Sequence, residues 1–278
     1  MNTISFEIFP PKRDMALDPV KETVKELATL KPSAISVTYG AAGGSSSVNT
    51  SAMASFIQNE CGVPAVAHLT CVNSTHHTVM SELQKLRALG VKRILALRGD
   101  RVEGEAPGEF EHAIELVRII RAFGGFSIGG ACYPEGHPES KHLKDDIERI
   151  REKTDAGLDF LVSQMIFDNP TFYAYLSRLQ GAGVHIPVIP GIMPVVNAKS
   201  IRRICALSGT QLPPRFKAIV DRFGEDERSM RSAGISFATE QIIDLYANGI
   251  KGVHLYTMNK PEVARAIMEN LKGIVETA

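Results

Sequence analysis

Residues 83–97 read LQKLRALGVKRILAL, and this stretch contains one complete αβ unit. Its leucines recur at helical spacing as far as Leu89, after which Gly90 precedes an apolar run that ends at Leu97. Glycine just past a helix adopts the left-handed conformation that satisfies the last carbonyls. A short run that is almost continuously apolar is typical of a parallel strand buried on both faces. The stretch therefore predicts a helix, a tight exit and a buried strand.

The same pattern recurs along the whole chain. Five helix exits place a glycine before an apolar residue: Cys61-Gly62-Val63, Leu89-Gly90-Val91, Ala156-Gly157-Leu158, Ala182-Gly183-Val184 and Asn248-Gly249-Ile250. Eight apolar runs predict parallel strands: Ile4–Phe9, Ala34–Tyr39, Ala65–Thr70, Arg93–Leu97, Phe126–Cys132, Phe160–Ile166, Val188–Ile192 and Gly252–Thr257. Eight such units with mostly short connections favour a (β/α)8 TIM barrel over an open sheet, with residues 1–278 as a single domain.

The region before the eighth strand departs from this alternation of strands and helices. Residues 205–248 contain two further helical patterns, Pro214–Phe223 and Ser229–Ala247. They predict extra helices before strand eight and not a second domain. Two Gly-rich polar stretches, residues 40–47 and 99–108, each follow a strand and are therefore predicted βα loops. Loops at this end of a barrel cover the active site.

Composition restricts the class of partner. The 31 Lys and Arg residues balance 31 Asp and Glu, and no run of one charge sign marks a nucleic-acid track or a membrane patch. The four cysteines form no C-x-x-C pair, and the N-terminus lacks the pattern of a secretion signal. No apolar stretch approaches the roughly 18 residues that span a bilayer. We therefore expect a cytoplasmic protein whose partners are small molecules or another subunit, with no nucleic acid and no membrane.

Catalytic residues of a barrel lie at the carboxyl ends of its strands, so polar residues that interrupt the apolar runs there are candidates. They are Glu7, Thr38, Tyr39, His68, Thr70, Arg98, Asp100, Tyr133, Gln164, Tyr256, Thr257 and Asn259. Glu7 gives the sharpest signal, because it places a carboxyl inside a packed strand. Burial without a cation favours the neutral form of a carboxyl, which suits a general acid. The alternative is an ion pair with Lys12, Arg13 or another cation.

Each of the other candidates also has a structural alternative. Asp100 could cap a turn, and His68 could be a hydrogen-bonded strand histidine. The proline-rich loop Tyr133–Glu139 is suited to holding a ligand rigidly, or it could be an ordinary turn. Gln164 offers a donor and an acceptor to a heterocycle, yet it could instead bridge neighbouring strands.

Several familiar chemistries are excluded by their missing motifs. The chain has no G-x-G-x-x-G after a strand, no G-x-x-x-x-G-K-[ST], no H-E-x-x-H and no G-x-S-x-G. The pairs His137 with His142 and His76 with His77 lack partners at ligand spacing, so no metal site is predicted. The missing Rossmann fingerprint argues against a dedicated dinucleotide-binding domain, and a cofactor held by barrel loops is still allowed.

The strand-end segments together resemble the bacterial 5,10-methylenetetrahydrofolate reductases. The matching segments, in order, are Ser5–Lys12, Ser36–Ala41, His68–Cys71, Ala96–Asp100, Tyr133–Glu139, Gln164–Asp168, Pro190–Pro194 and Tyr256–Asn259. The match spans nearly the whole chain. It implies a barrel with noncovalent FAD, at which NAD(P)H and methylenetetrahydrofolate use the same flavin face in turn. Homo-oligomers are also expected by analogy with the family.

The resemblance assigns catalytic roles to two carboxyls. Glu7 would be the acid that helps to open the imidazolidine ring of the folate. Asp100 would lie near flavin N1 and hydrogen-bond the pterin, where its charge disfavours anionic reduced flavin. Thr38 and Gln164 would contact the reactants over the flavin.

The resemblance also implies a set of cofactor contacts. They are Thr38, Tyr39, Ala41, His68, Arg98, Gly99, Asp100, His112, Ala113, Tyr133, His137, Ser140, Asp146 and Lys153. Arg98 and Lys153 would supply positive charge for the ribityl or diphosphate groups.

Five positions depart from the usual bacterial pattern. Lys260 replaces the arginine expected to bind the folate tail, while Ser200 and Ile204 replace a glutamine and a phenylalanine near the substrates. A lysine supplies charge but no bidentate fork. Arg149 and Glu152 differ from common residues on the flavin side. By its match to the family pattern, Gln164 is assigned to the substrate, together with Ser200 and Lys260 at the substrate positions that differ.

Two other functions remain open from the sequence. The first is a methyltransferase-type barrel that binds a pterin without redox chemistry. The second is a reductase subunit that receives electrons from an iron–sulfur partner. The sequence does not distinguish NADH from NADPH.

Overall fold

The computed structural model describes residues 2–11, 16–39, 47–100 and 108–275. Within them, eight parallel strands pair in chain order and close into a barrel. The strands are β1 (Thr3–Ile8), β2 (Ile35–Val37), β3 (Ala65–Thr70), β4 (Arg93–Leu97), β5 (Ser127–Cys132), β6 (Phe160–Met165), β7 (Val188–Ile192) and β8 (Gly252–Tyr256). The predicted (β/α)8 barrel is confirmed, and each predicted strand matches an observed one.

Helices alternate with these strands on the outside of the barrel. In the described ranges they are α1 (Asp18–Ala28), α2 (Ser47–Ser55), α3 (His76–Ala88), α4 (Ala113–Phe123), α5 (Leu143–Asp155), α6 (Asn169–Gly181), α7 (Ala198–Ser208), α8 (Pro214–Phe223), α9 (Glu227–Ala247) and α10 (Pro261–Asn270). The predicted extra helices before the last strand are α8 and α9. No helix of the described ranges has both the length and the apolar character needed to cross a bilayer.

The five predicted glycine exits all adopt positive φ angles. Gly62, Gly90, Gly157, Gly183 and Gly249 have φ values of 68°, 77°, 118°, 81° and 87°. At Gly90 the exit is closed by backbone bonds from Gly90 N to Arg87 O and from Val91 N to Leu86 O, both 3.1 Å. The chain therefore turns sharply at these glycines and re-enters the barrel wall.

The barrel interior is apolar at one level and polar at the next. Ala34, Val66 and Leu95 form a buried cluster against which Phe160 and Val162 pack. Side chains two residues further along β2 and β3 share the same face, because strand side chains alternate. Those positions hold Ser36 and His68 in place of hydrocarbon. Hydrocarbon thus fills the lower barrel, and polar groups lie nearer the carboxyl ends of the strands.

The extra helices form a second apolar cluster beside the mouth of the barrel. The ring of Phe216 on α8 stacks between Phe167 and Phe237, with centroid distances of 5.2 and 4.2 Å. On α9, Gly234 lies against the chain after β7: a Cβ built at Gly234 would be 1.8 Å from the carbonyl oxygen of Val195. Close backbone contact therefore fixes α9 against the barrel.

We expect Gly234→Ala to destabilise the protein by about 1–3 kcal/mol, because the added methyl group overlaps backbone that cannot rotate away. The matched control is Gly181→Ala on α6, where a Cβ meets nothing within 4 Å. That variant should keep or raise stability by up to about 1 kcal/mol, since alanine favours a helix. Urea unfolding of both variants measures the difference. Equal midpoints of urea unfolding for Gly234→Ala and Gly181→Ala would contradict the close packing of α9.

Candidate active site

A cavity of about 520 Å³ opens at the carboxyl ends of β3, β4 and β5. It brings together most of the predicted cofactor residues. Those that line it are Tyr39, Arg98, Gly99, Asp100, His112, Ala113, Tyr133, His137, Ser140, Asp146 and Lys153. Thr38 and His68 do not line it, and Ala41 lies outside the described residues. The structure therefore places these side chains together, while their roles stay predictions.

The end of β4 forms one wall of the cavity. Gly99 has a φ of 83°, and a Cβ there would be 2.9 Å from the Cβ of Thr70, so the backbone passes closely over β3. The guanidinium of Arg98 donates two parallel hydrogen bonds to Glu139, at 2.5 and 2.8 Å. This fork connects the end of β4 to the loop after β5.

The loop after β5 is braced by a buried carboxylate on α5. Asp146 accepts hydrogen bonds from the backbone N–H of His137 at 2.7 Å and from the hydroxyl of Ser140. The His137 ring packs edge-on against Tyr133, with centroids 4.6 Å apart. The loop of residues 133–139 is therefore held rigidly, and Asp146 acts on the cavity by shaping its wall.

Two ionisable groups of the cavity have shifted pKa values. Burial raises the pKa of Tyr133 to about 12, and the charge of Asp100 acts in the same direction. Burial also lowers the pKa of Lys153, whose Nζ donates to the carbonyl of Ala131 at 3.3 Å. The cavity thus offers a neutral phenol and a partly desolvated amine to a ligand.

Glu7 lies inside the barrel, as its strand position predicts. Only 8% of the residue is exposed. Its Oε2 is 3.5 Å from Nε2 of His254 and 3.6 Å from Nε2 of His68. Among the described residues these imidazoles are the basic groups within 4 Å; Lys12 and Arg13, the predicted alternatives, lie outside the described residues.

His68 is a neighbour of Glu7, although the resemblance implies a flavin contact for it. Burial lowers the pKa of His68 to about 4, despite the opposing effect of Glu7. The imidazole is therefore neutral near pH 7, and its contact with Glu7 is not an ion pair. Its Nε2 has no hydrogen-bond partner within the described residues.

The predicted substrate residues lie outside the cavity lining. Gln164 is half-buried, and its side-chain oxygen accepts from Met165 N at 2.9 Å, within its own strand and not across to a neighbour. Ser200 is exposed in the first turn of α7, where its N–H donates to Asn197. Lys260 directly precedes α10. The structure does not gather these three residues around the cavity.

Several lining residues were not singled out from the sequence as cofactor or substrate contacts. Tyr175 on α6 lines the cavity, as do Asn73 and Ser74 after β3 and Ile114 on α4. Tyr175 lies three residues after Phe172 on a helix, so its pattern is that of a core residue. Asn73 and Ser74 follow a strand directly, and that position could have marked them. Among the described residues, no group of three His, Cys, Asp or Glu side chains could hold a metal ion.

Comparison with known proteins decides the family. The family model described as Methylenetetrahydrofolate reductase matches residues 1–272. The chain belongs to this family. The 5,10-methylenetetrahydrofolate reductase of Escherichia coli (strain K12) is 31% identical, over 96% of this chain and 90% of its own length. Methylenetetrahydrofolate reductase (NADH) 1 of Arabidopsis thaliana is 33% identical over 98% of this chain. The chain spans 48% of that plant protein and of the Schizosaccharomyces pombe relative.

A solved structure shares the reductase-family fold of this chain. It is an uncharacterized protein from Clostridium thermocellum that binds two copies of 5-methyl-5,6,7,8-tetrahydrofolic acid. Its TM-score is 0.66 at 15% sequence identity, and the match covers 98% of this chain and 94% of that one. At this identity the likeness concerns the barrel itself.

The shifted pKa of His68 predicts a pH-dependent stability. The unfolded chain takes up a proton near the ordinary histidine pKa of 6.5, whereas the folded protein does so only near 4. The contribution of His68 is therefore complete above pH 6.5 and is lost as the pH falls toward 4, by up to about 3 kcal/mol. Urea unfolding at pH 6.5 and at pH 4 measures the change. The free energy of unfolding should fall less between these pH values in His68→Gln than in the unmodified protein. The exposed control, His185→Gln, should lose as much as the unmodified protein; a His68 variant that does the same contradicts the shift.

Proposed function

We propose that this chain is a flavin-dependent methylenetetrahydrofolate reductase. It binds FAD noncovalently and uses NAD(P)H to reduce 5,10-methylenetetrahydrofolate to 5-methyltetrahydrofolate in a ping-pong reaction. The observation that carries the proposal is the buried carboxyl of Glu7, which points into a barrel whose mouth carries a separate cavity lined by most of the predicted flavin contacts; Glu7 itself does not line that cavity. Membership of the family supports the same activity.

The residues that line the cavity fit a flavin dinucleotide. The volume of about 520 Å³ lies within the range of cofactor pockets. Arg98 and Lys153 supply cationic donors for a diphosphate. The start of α4 at Ala113 also faces the cavity, and backbone N–H groups at a helix start attract anions.

When bound, the flavin supplies the two-electron carrier between nicotinamide and folate. The residues of this chain control protons and charge around that transfer. Glu7 holds a proton in a buried site and donates it to the folate nitrogen that leaves the methylene carbon, so that the five-membered ring opens. Asp100 is exposed at the cavity edge, and its negative charge would disfavour an anionic reduced flavin bound there. Thr38 and Gln164 would contact the reactants over the flavin, although neither side chain lines the cavity.

We expect the purified protein to be yellow, with an oxidised-flavin absorbance band. The band should bleach when NADH or NADPH is added without oxygen, because the flavin is reduced. It should return when methylenetetrahydrofolate follows. Colourless protein that binds folate tightly would instead favour the pterin-binding methyltransferase. Flavin that only an iron–sulfur protein can reduce would favour the hypothesis that the chain is a reductase subunit supplied with electrons by such a partner.

Glu7→Gln should separate the two half-reactions. The amide cannot donate a proton as an acid, so flavin reoxidation by methylenetetrahydrofolate should fall by about a hundredfold or more. Bleaching by the nicotinamide nucleotide should be preserved, because that step needs no acid. Stopped-flow absorbance measures both rates. The exposed control Glu269→Gln should behave like the unmodified protein, and normal folate turnover by Glu7→Gln would refute the acid assignment.

A further inference from the structure

A row of polar side chains lies beneath Glu7 in the barrel interior. The hydroxyl of Ser5 is 2.8 Å from Nδ1 of His254. On the other side of the ring, Nε2 of His254 is 3.3 Å from the hydroxyl of Ser36 and 3.5 Å from Oε2 of Glu7. His254 is 4% exposed, and Ser36 is also 4% exposed. Both ring nitrogens of a buried histidine are therefore occupied by contacts on opposite sides.

These contacts favour one tautomer of His254. Ser5 has one proton and two acceptors within reach, Nδ1 of His254 at 2.8 Å and the carbonyl of Val253 at 3.3 Å. The 2.8 Å contact fits either Ser5 donating to Nδ1 or an Nδ1–H donating to Ser5; in the first case the ring proton lies on Nε2, and Glu7 decides between the two. That N–H then points between Ser36 and Glu7, and the Ser36 hydroxyl directs its own proton toward the carbonyl of Phe6 at 3.5 Å. In this arrangement every polar hydrogen has an acceptor.

The opposite tautomer is unfavourable beside a carboxylate. It would place the lone pair of Nε2 toward Oε2 of Glu7 at 3.5 Å. Two acceptors facing each other in a buried site repel, and each loses a hydrogen bond. The orientation of His254 by Ser5 therefore matters most when Glu7 has given up its proton.

We propose that His254, held in its Nε2–H tautomer by Ser5, is a positioning residue for Glu7. The imidazole N–H holds Oε2, the carboxyl oxygen nearer to both histidines, and leaves Oε1 to carry the proton that reaches the substrate. After the transfer, the same N–H stabilises the carboxylate with a charge-assisted hydrogen bond. A neighbouring group that fixes the tautomer of a histidine in this way is a common device at proton-handling sites.

Other groups around Glu7 do not supply this contact. From β3, His68 faces Oε2 at 3.6 Å, and its Nε2 has no hydrogen-bond partner in the part of the chain that the structure describes. From β8, the phenol of Tyr256 stays neutral, because burial and the charge of Glu7 both raise its pKa. Its hydroxyl donates to the carbonyl of Ser163 at 2.7 Å and is therefore not available to Glu7 as a donor. Among the described residues, His254 is thus the neighbour of Glu7 that has both a fixed orientation and a donor toward the carboxyl.

The tautomer is measured directly by nitrogen NMR of protein whose histidine rings carry ¹⁵N. We expect the neutral ring of His254 to carry its proton on Nε2 and not on Nδ1, with its signals identified by their loss in His254→Asn. Ser5→Ala should populate the other tautomer. Ser33→Ala is the matched control, because that hydroxyl donates to the β1 carbonyl of Ile4 at 3.0 Å and has no hydrogen bond to a histidine among the described residues. A proton on Nδ1 in the unmodified protein, or no change in Ser5→Ala, would overturn the proposal.

Two substitutions at His254 test the contact with Glu7. The amide nitrogen of asparagine reaches only as far as Nδ1 of histidine, whereas that of glutamine reaches the level of Nε2. His254→Asn should therefore slow flavin reoxidation by methylenetetrahydrofolate by about tenfold or more. His254→Gln should restore most of that rate, and bleaching by NADH should change less than twofold in both. Equal folate rates in the two variants, or equal loss of both half-reactions, would contradict a positioning role.

This inference rests on the proposed acid role of Glu7, and the two measurements separate the failures. If the unmodified protein never reduces methylenetetrahydrofolate, the proposed function is wrong, yet the nitrogen spectrum still decides the His254 tautomer. If the unmodified protein is active and the predicted spectrum or rate pattern is missing, the positioning role alone is wrong.

Discussion

The pairing of β1 with β8 closes the barrel and determines what surrounds Glu7. Five residue pairs set this register, from Thr3 beside Gly252 to Glu7 beside Tyr256. Because side chains alternate along a strand, a slip of one residue would turn Glu7 toward the outer helices. The observed register instead puts Ser5 beside His254, so that residues nearly the whole chain length apart share one buried polar site. The hydroxyl of Thr257 reinforces this closure by donating to the carbonyl of Glu7 at 2.6 Å.

Closure also separates stability from chemistry along the barrel axis. The lower interior is filled by hydrocarbon from residues such as Val66 and Leu95, which needs no polar partner. The upper interior holds histidine, serine and carboxyl groups that are costly to bury unless they contact one another. The contacts among Ser5, His254, Ser36 and Glu7 therefore compensate for part of the lost hydration and orient these side chains at the same time.

Local patterns were sufficient to predict the fold. The strands and glycine exits depend on neighbours in sequence, and the strand-end rule identified Arg98, Asp100 and Tyr133, which line one cavity. Contacts across the barrel were beyond this reasoning. His254 lies in an apolar run of β8, and only the register with β1 shows that it faces Ser5 and Glu7.

The fork between Arg98 and Glu139 has a consequence for selectivity. The guanidinium that borders the cavity is already satisfied by a tethered carboxylate, which is 63% exposed at its side chain. An anion that binds Arg98 must displace the carboxylate of Glu139, which belongs to the same chain and is therefore always nearby. Small free anions such as inorganic phosphate are therefore at a disadvantage. A larger ligand offsets the cost of displacing Glu139 through its other contacts with the cavity. The ion pair between Arg98 and Glu139 therefore favours ligands that fill the cavity over small anions that would contact Arg98 alone.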